Sequence, residues 1–299
     1  MIEVRTVAPK IGAEITGVDV RSMDAATWQV FERAFVDHVV LVVRDQRLEI
    51  PEFLAYGARF GTIKPHIVQK SRHPMFPDLT IMDARVLDAR QAEEARAQQV
   101  LVKRGAVWHT DLSYDYVTAK ATLLYSINVP THGGDTLFQS SYHAYDSLPE
   151  STRRRIEHLS GTYQYGGKLK RGIDLLEDFD LDRPRAVHPL VRIHPESGRK
   201  TLFFDGGKIM EIVGLPADES EALIAELAAH VQTDGDYRHR WQVGDLVIWD
   251  NRCSLHAATG DYPLDQRRTM WRATIMEPDY LPRETAIRAS LTRSSASGR

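Results

Sequence analysis

The chain has 299 residues, 42% of them hydrophobic and 26% charged, with a net charge of −3. Those values suit a soluble globular protein and supply no field that would gather nucleic acid or an anionic membrane. Cys253 is the single cysteine, so no internal disulfide can form and a reducing, cytoplasmic setting is expected.

In chain order, Ala25 to Asp37 and Ile50 to Phe60 carry helical spacing, and the β-branched run Val39 to Val43 between them reads as a buried strand. Residues 86–105 are polar and repeat Ala, Arg, Glu and Gln, a lid-like segment ending just before Trp108. Ala121 to Val129 is a strand that stops at Pro130, and Gly133-Gly134 turns the chain into Thr136-Leu137-Phe138. The spacing predicts a helix over Ala144 to Leu159, with Arg153-Arg154-Arg155 on its solvated face. Residues 163–189 form a second lid-like segment.

A hairpin follows, Leu190 to His194 and Lys200 to Phe204, whose turn puts His194 and Glu196 at an exposed tip. Asp218 to Gln232 is a helix opening on acidic residues, and Leu246 to Trp249 and Thr269 to Met276 are strands. Residues 285–299 form a Ser/Arg-rich tail. Strands dominate, and no regular βαβ alternation appears. The fold class is therefore mainly β with peripheral helices (α+β), a sandwich or barrel in one domain over 1–284. No apolar run approaches the length that spans a bilayer, and Met1 to Arg5 holds no apolar signal core.

The chemistry concentrates at three places. Trp108-His109-Thr110-Asp111 sets a histidine and a carboxylate two apart, which on a strand share one face. His194 and Glu196 have the same spacing, so spacing alone does not select a site; turn chemistry argues against the second pair. His256 ends the block Trp249-Asp250-Asn251-Arg252-Cys253-Ser254-Leu255-His256. Two histidines and one carboxylate can hold an octahedral ion and leave three positions open, as in non-haem Fe(II) oxygenases.

On the last strand, alternation puts Arg268, Met270 and Arg272 on one face and Arg267, Thr269 and Trp271 on the other. Inward arginines need anions. Arg267 could instead join an internal network with Asp245, Asp250 or Asp261. Cys253 is placed on the opposite face from His256, in packing.

These blocks, with Gly133-Gly134-Asp135-Thr136, His188-Pro189-Leu190-Val191-Arg192 and Ser197-Gly198-Arg199-Lys200, resemble the TauD/TfdA family of Fe(II)- and 2-oxoglutarate-dependent dioxygenases. The resemblance implies an oxidoreductase with a double-stranded β-helix (jelly roll). It implies His109, Asp111 and His256 as iron ligands, and Thr136 and Arg268 as partners of the distal carboxylate of 2-oxoglutarate. The spacing from His256 is one residue longer than the family's, which keeps Arg267 open beside Arg268. Arg272 would lie near both cosubstrate and substrate. His66 falls where the family's taurine enzymes have a sulfonate-binding histidine, and Trp108 would border the substrate. Lys103 and Arg104 stand where those enzymes carry acidic and amide residues.

The expected activity is therefore hydroxylation of an aliphatic carbon of a small anionic organic substrate, of aryloxyalkanoate, sulfonate or alkyl sulfate type. Fe(II), 2-oxoglutarate and O2 are consumed or held, and succinate and CO2 leave. No nucleic-acid or membrane partner is expected, and a homo-oligomer is left open. The alternatives are a Zn-dependent hydrolase or a non-catalytic metal-binding barrel built on the same ligands.

Overall fold

The computed structural model describes residues 2–84, 107–168, 185–231, 235–278, 280 and 283. Its first half runs β1 Glu3–Thr6, β2 Ala13–Thr16, α1 Ala25–His38, β3 Val40–Val43, α2 Ile50–Ala58, β4 Thr62–Lys64, β5 Thr80–Ala84, β6 Ala121–Asn128 and β7 Thr136–Ser140. The second half runs α3 Ser141–Asp146, α4 Glu150–Ile156, β8 Ser160–Tyr163, β9 Ala186–Pro189, β10 Val191–Ile193 and β11 Lys200–Leu202, then β12 Ile209–Ile212, α5 Ala217–Val231, β13 Tyr237–His239, β14 Leu246–Asp250, β15 Ser254–Ala258 and β16 Arg268–Met276.

Alternation along the central strands creates two cores from one sheet. The large sheet orders β1-β2-β3-β14-β6-β16-β4, with β5 also on β16. Leu41, Leu123, Tyr125, Leu246, Ile248, Ala273 and Ile275 point to one face, where Phe31 and Phe35 of α1 and Phe53 and Tyr56 of α2 cover them. The intervening residues, Val40, Val42, Leu124, Val247, Trp249 and Met270, point to the other face and meet Phe138 of β7. This is the period-2 geometry of a strand with both faces buried. Asp24 caps α1 by accepting the Thr27 amide, and Glu49 and Glu52 form a capping box on α2.

β7 belongs to the antiparallel sheet β13-β7-β15. Its outer face, through Leu137, Leu255 and Ala257, packs on a third core with Tyr163, Ile209, Leu223 and Leu227. The sheet β13-β7-β15 is thus sandwiched, and the inner faces of the two sheets enclose the layer that carries the site.

Two expectations are corrected here. The helix predicted over Ala144 to Leu159 is two short ones, α3 and α4, separated at Ser147 to Pro149. Pro149 disfavours helical geometry in the residue before it and itself sits at the N-cap of α4. The lid-like reading of 163–189 fails at its end, because Ala186–Pro189 is β9, paired with β8. Residues 169–184 and all of the 86–105 segment lie outside the described residues. The predicted hairpin is present as β10 and β11 in antiparallel register.

Candidate active site

Backbone pairing brings the two histidines together. His109 and His256 form an antiparallel bridge, His109 N donating to His256 O at 3.1 Å and His256 N to His109 O at 2.9 Å. Opposed residues of such a pair project to the same side, and the ring centroids stand 4.1 Å apart. After His109 the chain turns at once, with Leu112 at φ 54°, and Asp111 points back at the rings. Its Oδ2 is 3.7 Å from His256 Nε2. Ligand atoms of His109, Asp111 and His256 all lie within 4.8 Å of one another.

The protonation states suit a cation. His109 Nδ1 lies 2.8 Å from Val107 O, which makes that nitrogen the N–H donor and leaves Nε2 as the ring nitrogen available to a ligand. Burial, then the neighbouring His109, lowers the His256 pKa to about 3, so this imidazole stays neutral. Burial alone would raise the Asp111 carboxyl. The Arg272 guanidinium, foremost among its neighbours, reverses that and holds it ionised. His256 Nδ1 is buried without a hydrogen-bond partner among the described residues. Two imidazoles and an ionised carboxylate, with Trp249 and Phe138 packed against the His256 ring, are the donor set of a divalent transition metal.

Two arginines follow on β16 with the alternation read from sequence. Arg272 Nη2 meets Asp111 Oδ1 at 2.7 Å. Arg268 donates from Nε to Gly134 O at 3.1 Å, and among the described residues no carboxylate pairs with it. Arg267 faces outward and grips Asp83 through two 3.2 Å bonds. Gly134 has φ 67°, and a Cβ there would come within 3.2 Å of Arg268 Cδ and Nε, so the glycine lets the loop close on the guanidinium. Thr136, two residues on, opposes Ala258, two residues after His256 on β15. Its Oγ1 accepts from Trp241 Nε1 at 3.0 Å and keeps its own proton to donate.

The model of the family described as "Taurine catabolism dioxygenase TauD, TfdA family" matches residues 3–274. The chain belongs to this family. It is 33% identical to the alpha-ketoglutarate-dependent 2,4-dichlorophenoxyacetate dioxygenase of Cupriavidus pinatubonensis, over 90% of this chain and 96% of that one. It is also 33% identical to the alpha-ketoglutarate-dependent sulfate ester dioxygenase of Pseudomonas putida, over 92% and 89%. A crystal structure of a putative alpha-ketoglutarate-dependent taurine dioxygenase from Burkholderia xenovorans superposes with a TM-score of 0.74 at 27% identity, over 93% of each chain. The structure of AAD-2 in complex with Mn(II) and N-oxalylglycine superposes with a TM-score of 0.73 at 25% identity, over 93% of this chain and 98% of that one.

Within this TauD/TfdA chain the remaining site residues divide. His66 is drawn to the centre: burial, then Arg272, lowers its pKa to about 4, and Asp111 acts on it as well. Its Nδ1 accepts the Val68 amide at 3.1 Å, which leaves the proton on Nε2. Trp108 is buried in the third core with its ring against Gly235, so the structure places it in packing. Lys103 and Arg104 lie outside the described residues.

His194 is not exposed at its turn. It is buried, with Nε2 3.1 Å from Asp250 Oδ2. His194, Asp250 and Cys253 also cluster closely, but Arg252 clamps Asp250 through Nε and Nη2, the latter at 2.6 Å. That carboxylate is already neutralised, and Cys253 is packed in the core. Sequence reading missed Thr122 and Asn251, which touch Asp111 directly. The available signal was a threonine inside the apolar run Ala121 to Val129, on the inward face.

Proposed function

We propose that this chain is an Fe(II)- and 2-oxoglutarate-dependent dioxygenase that hydroxylates an aliphatic carbon of a small anionic organic substrate. The observation carrying this reading is Arg268, a half-buried guanidinium four residues before Arg272 on β16, with no carboxylate in ion-pair contact among the described residues. Burial lowers its pKa, and an inward cation of this kind is stable only against an anion. A hydrolytic zinc site has no use for it. The two facing sheets are read as a double-stranded β-helix with the site at one mouth.

His109, Asp111 and His256 would hold the metal. Arg268 offers a planar fork to the distal carboxylate of 2-oxoglutarate, and Thr136 Oγ1 donates to the same group. Bound there, Fe(II) with 2-oxoglutarate and O2 supplies the oxidising power, and succinate and CO2 leave. Arg272 keeps further N–H donors beyond the one spent on Asp111, and His66 presents Nε2–H. Together they suit the oxygens of an anionic head group. Trp249 and Phe138 pack against the His256 ring and give it an apolar backing. Relatives named for phenoxyacetate, phenoxypropionate and sulfate esters have acids or acid esters as substrates, which supports the same class here.

The test is succinate release across phenoxyalkanoates, alkyl sulfates and sulfonates, with Fe(II) supplied and then chelated. Iron-dependent succinate with at least one of these acids is the expected result. Turnover confined to cations or neutral compounds, or none requiring 2-oxoglutarate, overturns the reading.

A further inference from the structure

Thr122 and Asn251 have no part in the reading above, yet both are buried, at 0% and 2% exposure. A hydroxyl and an amide in an apolar layer are costly unless every polar atom is bonded. Here they form a directed chain. Trp249 Nε1 donates to Asn251 Oδ1 at 3.1 Å, and the Asp111 amide donates to the same oxygen at 3.3 Å. Asn251 Nδ2 donates to Thr122 Oγ1 at 2.9 Å, and Thr122 Oγ1 donates to Asp111 Oδ2 at 2.5 Å.

Valence fixes the direction. An indole nitrogen is donor only, and so is a backbone amide, so the Asn251 oxygen must face both of them and its NH2 must face Thr122. The threonine oxygen accepts there, and its one proton goes to Asp111. Thr110 Oγ1 donates to Asn251 O at 2.7 Å and ties the ligand segment to the same residue. Since Arg272 takes Asp111 Oδ1, both carboxylate oxygens are held and the group cannot swing about its last torsion.

We propose that Thr122 and Asn251 are positioning residues for the metal centre, holding the plane of the Asp111 carboxylate in its ligating orientation before the ion arrives. This rests on the reading of His109, Asp111 and His256 as metal ligands. Neither residue touches metal, cosubstrate or substrate; both act through Asp111. Outer partners of this kind set metal affinity by about 10- to 100-fold.

The experiment titrates Mn(II) calorimetrically into the metal-stripped full chain and follows the melting of the same metal-free proteins. Thr122→Val keeps shape and removes the hydroxyl; Thr122→Ser restores it. Asn251→Asp keeps an acceptor for Trp249 but offers a carboxylate that captures the Thr122 proton. Thr122→Val and Asn251→Asp should each weaken Mn(II) binding about 10- to 100-fold, Thr122→Ser should bind like wild type, and the double variant should be no weaker than the weaker single, because one chain is broken twice.

A folded Thr122→Val protein that binds Mn(II) as tightly as wild type overturns the proposal. If that variant does not fold, a folded Asn251→Asp protein with wild-type affinity overturns it equally. Asp111→Ala separates the two readings. Its loss of binding, with Thr122→Val unaffected, sinks only the positioning role. Binding that survives Asp111→Ala, or is absent from wild type, removes the metal centre and this proposal with it.

Discussion

Arg267 and Arg268 are adjacent in sequence and opposite in surroundings: Arg267 holds Asp83 at the surface, whereas Arg268 turns inward and donates to the Gly134 carbonyl. An exposed ion pair contributes about 0–1 kcal/mol. A hydrogen bond to a charged group contributes about 1.5–3 kcal/mol, or roughly 10- to 150-fold in affinity. Arg268→Met should raise the KM for 2-oxoglutarate by that factor, and Arg267→Met should leave it unchanged. Succinate formation at varied 2-oxoglutarate reads both; equal effects from the two variants would mean that the inward guanidinium does not bind the cosubstrate.

Gly134 and Gly198 make a matched pair for the cost of a side chain at positive φ. Both have left-handed backbone, at 67° and 69°. A Cβ at Gly198 meets nothing within 4 Å, whereas at Gly134 it crowds Tyr262 and Arg268. Gly198→Ala should therefore cost only the backbone conformation, about 1 kcal/mol. Gly134→Ala should cost more and also raise the KM for 2-oxoglutarate, because the neighbour that gives way is Arg268. Urea unfolding and steady-state kinetics on the two proteins check this; identical kinetic behaviour would separate Gly134 from the cosubstrate site.

Legibility in the sequence tracked the range of the interactions. The alternation on β16 is local and appears in the structure as read, whereas His109 and Asp111 meet through a turn at Leu112 and not on one face of a strand. His194 looked exposed because its own neighbours are turn residues. Its burial depends on Asp250, which arrives from a distant strand. Thr122 was hidden for the same reason: an apolar run reads as packing, and only the meeting of β6 with the Asp111 turn gives its hydroxyl a partner. Edge strands of three or four residues such as β4, β12 and β13 are too short for periodicity to register. Pro149 was visible, and its helix-breaking effect was the local signal outweighed by apolar spacing.

His188 gives the fold an acid limit independent of the metal ligands. It is buried with Nε2 2.8 Å from Asp115 O. Burial, then Arg192, lowers its pKa to about 3, against about 6.5 in an unfolded chain. Between those values the unfolded state binds the extra proton, so the stability is fully present above about pH 6.5 and is lost as pH falls towards 3. His188→Gln keeps a donor and cannot titrate. Its unfolding free energy, measured in urea from pH 7 to pH 4, should fall less steeply than wild type by about one proton, or about 1.4 kcal/mol per pH unit. Parallel curves for the two proteins would show that His188 is protonated in the folded state.

Arg252 separates structural from catalytic weight in the Trp249 to His256 block. Asp250 is fully buried between Arg252 and His194. Burial pushes its carboxyl up, but the hydrogen bonds from Arg252 and His194 bring it down to about 2. Being depressed in the folded state, this carboxylate stabilises above its unfolded pKa of about 3.9 and loses that contribution as pH falls towards 2. Arg252→Met strands the charge with His194 alone, and breaking a buried pair costs about 3–5 kcal/mol. It also frees Glu277, whose Oε1 lies 2.6 Å from Arg252 Nη1. The expected outcome is a large drop in melting temperature with Mn(II) affinity retained in the protein that remains folded, since Arg272 and Thr122, and not Arg252, hold the Asp111 carboxylate. A variant that melts like wild type but no longer binds Mn(II) would move Arg252 from the scaffold into the metal site.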